Sequence, residues 1–205
     1  MKWPVQILLG SLLLLSTPVA AAPALGGETG ALTVPSADAL RPGQLHLAWS
    51  TAEDGHRSAV AFGALKRLEL STLHFDSAEK DTVELGLKYE LQPETLLRPG
   101  IAAGVEDIAR ERRRSFYGVV SKTLPYGLRV HAGVGNGRYA GGFASLEVRA
   151  FPKRPAGVFP DLTLFAEHVD GHGAYGLRLA LSRGLKVEAG VDGSAHFAGL
   201  SYNYY

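Results

Sequence analysis

Three observations predict an all-β chain that closes into an antiparallel transmembrane barrel of about twelve strands. They are a short apolar leader, a period-two alternation repeated from Gln44 onward, and an aromatic last strand. Ten strands, or a soluble β-sandwich, are the alternatives. A sandwich turns its apolar faces toward each other, whereas a membrane barrel turns them to lipid and lines its lumen with charges. The leader, the even strand count and the aromatic end favour the barrel.

The leader comes first. Lys2 supplies a positive start, Val5 to Leu15 an apolar run, and Val19-Ala20-Ala21 a small-residue cleavage site. The run is too short to span a bilayer, so residues 1–21 read as a signal peptide, with cleavage after Ala24 as the alternative. Residues 22–43 read as a periplasmic leader or a plug, and 44–205 as the barrel. The chain has no cysteine, which excludes a lipid anchor on cysteine and a disulfide framework. Removing Lys2 from 21 basic residues leaves 20 against 20 acidic ones. A neutral mature chain gives no argument for nucleic acid.

The predicted strands are 44–50, 58–64, 68–75, 82–91, 100–106, 115–123, 128–135, 142–150, 161–169, 174–181, 185–192 and 196–204. In the fourth, Val83, Leu85, Leu87, Tyr89 and Leu91 alternate with Glu84, Gly86, Lys88 and Glu90. The seventh sets Leu128, Val130, Ala132 and Val134 against Arg129, His131, Gly133 and Gly135. The tenth alternates Tyr175, Leu177, Leu179 and Leu181 with Gly176, Arg178, Ala180 and Ser182, and the eleventh repeats the pattern from Leu185 to Asp192. Asp54-Gly55, Asn136-Gly137, Asp170-Gly171 and Asp192-Gly193 supply turn chemistry between strands. Pro93, Pro99, Pro152, Pro155 and Pro160 fall in connections, since proline cannot donate to a ladder.

The last strand places His196, Ala198, Leu200, Tyr202 and Tyr204 on one face. Gly199, Tyr202 and Tyr204 resemble the terminal signal read by the barrel-assembly machinery of bacterial outer membranes. Phe197 stands where that signal has a polar residue, and Tyr205 runs one residue past it. Tyrosines there would sit with ring in lipid and hydroxyl in water.

The polar face carries an expected ion-pair network of Glu147, Arg149, Glu167, Arg178 and Glu188. With a short loop around Gly171, Glu167 lands opposite Arg178, and a three-residue turn then sets Arg178 opposite Glu188. His131 and Glu147 pair across the hairpin centred near Tyr139. Arg110, Arg112, Arg113 and Arg114 form the one local basic cluster, in a connection expected on the cell exterior. Guanidinium groups there suit lipopolysaccharide phosphates or acidic sugars, against the reading of a solvated loop.

Chemistry is harder to find. Ser145, His131 and Glu147 could meet on one hairpin, yet nothing marks Ser145 as a nucleophile. His168, Asp170 and His172 lie close together but lack further ligands, and a turn explains them. No cofactor, metal or catalytic residue is expected.

Three segments resemble the YjbH-like exopolysaccharide-associated outer-membrane proteins. Thr29-Gly-Ala-Leu-Thr-Val-Pro-Ser-Ala37 with Leu40-Arg-Pro-Gly43 resembles the family's opening. Arg98-Pro-Gly-Ile-Ala-Ala-Gly-Val-Glu-Asp-Ile108 with Ser115-Phe-Tyr-Gly-Val-Val-Ser-Lys122 resembles a central segment and strand. Leu164-Phe-Ala-Glu-His-Val-Asp-Gly171 with Tyr175-Gly-Leu-Arg178 resembles a later hairpin. The resemblance covers nearly all of the mature chain at sparse positions, and it implies that the chain corresponds to the barrel portion of longer family members. It implies a non-enzymatic accessory of exopolysaccharide biosynthesis or export in the Gram-negative outer membrane, beside lipid, lipopolysaccharide and polysaccharide-export components. A small porin or structural barrel is the alternative, and a lumenal or rim hydrolase of lipid or glycan a third.

Overall fold

The structure, a computed structural model, describes residues 24, 27–78, 81–152 and 158–204. The expected signal peptide and Tyr205 lie outside the described residues. Twelve strands follow one another: β1 Leu45–Ala52, β2 Gly55–Leu65, β3 Leu68–Asp76, β4 Asp81–Gln92, β5 Gly100–Glu106, β6 Ser115–Leu124, β7 Leu128–Gly135, β8 Phe143–Arg149, β9 Asp161–Val169, β10 His172–Ala180, β11 Leu185–Asp192 and β12 Ala195–Tyr204. Each pairs antiparallel with its sequence neighbours, and β1 pairs with β12, so the sheet closes into a barrel. Closure leaves no edge strand to blunt.

The alternation fixes which side chains face which way. Outward Trp49, Leu85, Val120, Leu164, Leu177 and Leu200 are 42–48% exposed, whereas inward His46, Lys88, His131 and Ser121 are at most 1% exposed. The barrel is therefore apolar outside and polar inside, the reverse of a soluble sandwich.

Two registers differ from the sequence reading. Glu167 stands opposite Ala174, and Arg178 opposite Thr163. The cause is the turn: Asp170 (φ 46) and Gly171 (φ 87) both adopt the left-handed region, as a two-residue hairpin turn of mirror-image type requires. β10 thus begins at His172, earlier than expected. His131 likewise stands opposite Ser145, with Arg129 opposite Glu147, yet His131 Nε2 still reaches Glu147 at 3.1 Å, so the expected pair forms across a shifted register. The turn between β10 and β11 does set Arg178 opposite Glu188.

The near rim carries the start of β1 and the end of β12. The opposite one is the far rim. Residues 27–40 lie between them, inside the barrel: Thr29, Ala31, Leu32, Val34 and Ala37 are 0–1% exposed.

Candidate functional site

A peptide segment buried in a lumen must find partners for every backbone N–H and C=O it removes from water. Residues 29–36 do part of this alone, as a small hairpin in which Gly30 bridges Pro35. Within it the Ala31 N–H donates to the Val34 carbonyl at 2.9 Å and the Ser36 N–H to the Thr29 carbonyl at 3.0 Å. At the near rim the segment joins β1 through Gly43 (φ 83), around whose absent side chain nothing lies within 4 Å. The Gly43 N–H donates to the Gly63 carbonyl at 2.9 Å.

Wall carboxylates take the segment's free N–H groups. Glu167 accepts from the Leu32 N–H at 2.5 Å, the Thr33 N–H at 2.8 Å and the Thr33 hydroxyl at 2.9 Å. Glu69 accepts from the Thr29 N–H at 2.8 Å and the Leu40 N–H at 2.9 Å. The Ser121 hydroxyl accepts from the Ala37 N–H at 2.7 Å.

Wall cations take the carbonyls. Lys88 Nζ donates to the Thr29 carbonyl at 2.8 Å, Arg138 to the Thr33 carbonyl at 2.6 Å, and Arg178 to the Ala31 carbonyl. Since Arg138 lies beyond the end of β7 at the far rim, the segment reaches from one rim to the other.

These wall groups are paired with one another as well. Lys88 lies 3.1 Å from Glu69, both side chains almost fully buried. Such a pair loses solvation of both charges, and its hydrogen bonds to the segment offset part of that loss. Arg178 Nε donates to Glu188 at 2.6 Å, while its Nη1 lies 3.8 Å from Glu147. Arg129 lies 2.6 Å from Asp38 of the segment and 3.3 Å from Glu94.

At the far rim Tyr117, Tyr139 and Phe143 form an aromatic cluster, with Tyr139 4.7 Å from Phe143 and 5.2 Å from Tyr117 between ring centroids. Val34 and Ala37 pack against it. Tyr139 donates to Glu106 at 2.6 Å, and Tyr117 donates to Glu28. Burial, and then the nearby Glu106 carboxylate, push the Glu28 carboxyl well above its usual range.

Of the five residues expected in the lumenal network, Glu147, Arg178 and Glu188 come together. Glu167 is turned to the N-terminal segment. Arg149 pairs instead with Asp161 at 2.7 Å, toward the near rim. Ser145, His131 and Glu147 do not form a nucleophilic triad. His131 Nε2 lies 3.1 Å from Glu147, but its Nδ1 faces Ser121 at 2.7 Å, while Ser145 donates to Glu167 at 3.5 Å. Ser121 is fully buried beneath Ala37.

In the connection after β5, Asp107 accepts from the Glu111 and Arg112 N–H groups at 2.8 and 2.7 Å. Arg112 then reaches toward Glu84 at 3.7 Å and lies 5.1 Å from the Phe75 ring centroid. Arg110 and Arg113 point to solvent, and Arg114 donates to the Ile108 carbonyl. His168, Asp170 and His172 do not converge, and among the described residues no group of three His, Asp or Glu side chains could hold a metal ion. Tyr202 and Tyr204 face outward, 46% and 62% exposed, and Gly199 faces the lumen.

The segment that fills the lumen and the first eight strands also carry the family likeness. Residues 25–157 match the model of the YjbH family, exopolysaccharide biosynthesis protein YbjH. The chain belongs to that family. Within this YjbH-family chain the match takes in both the lumenal hairpin and its partners Glu69, Lys88, Ser121 and Arg138. Among solved structures, the KdgM porin is similar at a TM-score of 0.55 and 13% identity, over 79% of this chain and 98% of that one. The KdgM porin in complex with disordered oligogalacturonate gives 0.53 and 13%, with the same coverage. At that identity the likeness is one of fold, a closed porin-like barrel. No curated protein matches the YjbH-family chain.

Sequence reading left the role of residues 22–43 open and missed the residues that hold them. Glu69 and Thr29 are 40 positions apart, and Glu167 and Leu32 135, so no local pattern links them. A usable signal was the pairing of Glu69, Lys88 and Ser121 with apolar outward neighbours, which marks them as inward and in need of partners.

Proposed function

We propose that this chain is a non-enzymatic barrel of the Gram-negative outer membrane that serves exopolysaccharide biosynthesis or export, with its lumen closed by its own N-terminal segment. Family membership supports the pathway. The observation that carries the closed state is the rim-to-rim segment, whose backbone groups find partners partly in its own hairpin and partly in the wall. Lipid covers the apolar outer face, and outward Tyr202 and Tyr204 anchor the closing strand at the interface and serve as the assembly signal. With the near rim in the periplasm, the arginine-bearing connection after β5 faces outside. There Arg110 and Arg113 meet lipopolysaccharide phosphates.

A strain lacking the gene is expected to lose secreted exopolysaccharide, with the protein recovered from outer membranes as a heat-modifiable band. Normal secretion, or recovery from the soluble periplasm, overturns the reading. The porin-like fold supports a second reading, a solute channel. It predicts that deleting residues 27–40 opens a steady conductance in planar bilayers that the full chain lacks.

A further inference from the structure

The inward positions of β11, β12 and β1 form a strip that the N-terminal segment leaves unmatched. His46 stands opposite Asn203, Lys186 opposite Ser201, and both Glu188 and Ser50 opposite Gly199. All six polar side chains belong to residues at most 8% exposed. Yet His46 Nε2, Ser50 Oγ, Ser201 Oγ and Glu188 Oε2 have no hydrogen-bond partner, four of the ten such buried atoms among the described residues. Lys186, in the same strip, makes no ion pair within 4 Å there, while its neighbour Glu188 is engaged by Arg178. A buried polar group without a partner loses its hydration with nothing in return, so a local concentration of them calls for a role.

Their chemistry is specific. His46 Nδ1 lies 2.7 Å from Asn203 Oδ1, which places the ring proton on Nδ1 and leaves Nε2 a bare acceptor. Glu188 Oε2 is a second acceptor. The two serines both give and receive, and Lys186 offers a cation. A matching ligand carries several hydroxyls and one anionic group. The wall between these side chains is built from Ala48, Ala59 and Gly199, so it adds little bulk of its own. At its far end the strip meets Phe197, against which Leu32 of the segment packs together with Phe165 and Ala174. Withdrawal of the hairpin tip therefore uncovers that end of the strip.

We propose that this strip is a binding site for a small hydroxyl-rich acid of the acidic-monosaccharide class, occupied when the N-terminal segment withdraws. The site rests on the lumen being a solute-accessible barrel interior and not on any role in exopolysaccharide secretion, so normal secretion by a deletion strain leaves it standing.

The test is calorimetric titration of the full chain in detergent with sodium glucuronate, glucose and acetate. Glucuronate is expected to bind at least tenfold more tightly than either comparison solute, and Lys186→Gln to lower its affinity at least tenfold. Glu167→Gln, which frees the hairpin tip, raises the affinity, because the competent state becomes more populated. Ser50→Ala and Ser201→Ala raise the unfolding temperature of the empty protein while weakening glucuronate binding. Stabilised serine variants together with no glucuronate binding by the parent protein would mean the strip merely holds water, and the proposal fails. Serine variants that are less stable than the parent, or glucuronate affinity unmoved by Lys186→Gln, overturn it equally.

Discussion

The wall from β3 to β10 and the wall from β11 through β12 to β1 face the same lumen with similar side chains but treat the enclosed segment differently. On the first, Glu69, Ser121 and Glu167 accept from its N–H groups, and Lys88 and Arg178 donate to its carbonyls. On the second, Leu32 packs against Phe197 with Ala52 of β1 beside them, and four buried polar atoms stand without partners on three strands, against four on the eight strands of the first wall. Lumenal charge thus has two uses. Where a backbone runs past, charge replaces the water that backbone lost. Where none runs past, the same residue types wait for something else.

The largest effect is expected at the buried Glu69–Lys88 pair. Glu69→Leu strips Lys88 of its counter-charge and two segment N–H groups of their acceptor. It is expected to cost about 3–5 kcal/mol in denaturant-driven unfolding from lipid vesicles. A change as small as that of a serine variant on the other wall would erase the distinction.

Glu167→Gln keeps an acceptor but loses the charge that holds Leu32 and Thr33. A loss of about 1–3 kcal/mol is expected, together with faster amide exchange confined to residues 29–36. Exchange rising evenly around the barrel would show that the tip is not held locally.

Acidity sharpens the comparison at the far rim. Glu28 faces Glu106 of β5, Tyr117 of β6 and Lys88 of β4, with Arg138 and Tyr139 of the β7–β8 connection nearby. Its folded-state pKa is raised above the ordinary 4.5, so the stability it contributes is fully present below that value. It is lost as pH rises through the folded value. The segment's protection from exchange should therefore fall as pH is raised above 4.5, and Glu28→Gln should flatten that fall. An unchanged profile in the variant would move the effect to another group.

The smallest effect is expected at Arg149–Asp161, an ion pair with both side chains more than a fifth exposed and no contact to the segment. Arg149→Gln should cost about 0–1 kcal/mol by the same unfolding measurement. A larger loss would extend the matched wall to the near rim.

Much of the barrel was legible in the chain because a period of two reports both faces at once. Leu85 and Lys88 declare outside and inside without help from any other strand. Strand ends followed from Gly, Asp and Pro. The β9–β10 register was missed although Asp170-Gly171 signalled it: a two-residue turn with both residues left-handed moves Glu167 from Arg178 to Ala174. The interior was less legible for a different reason. Val34-Pro35-Ser36 reads locally as a turn, and only folding brings it beside Ser121 and Tyr139. Ser121 in place of Ser145 beside His131 has the same origin, since register decides which hydroxyl meets an imidazole.

Gly43 gives the enclosed segment a property that no separate blocking peptide would have. It joins the segment to β1 at a left-handed, uncrowded residue, so a withdrawn hairpin stays attached and faces its own lumen at an effective concentration on the order of millimolar. Re-entry is then a unimolecular search that does not depend on how much protein the membrane holds. On the proposed withdrawal, a competing solute must outweigh that constant local supply.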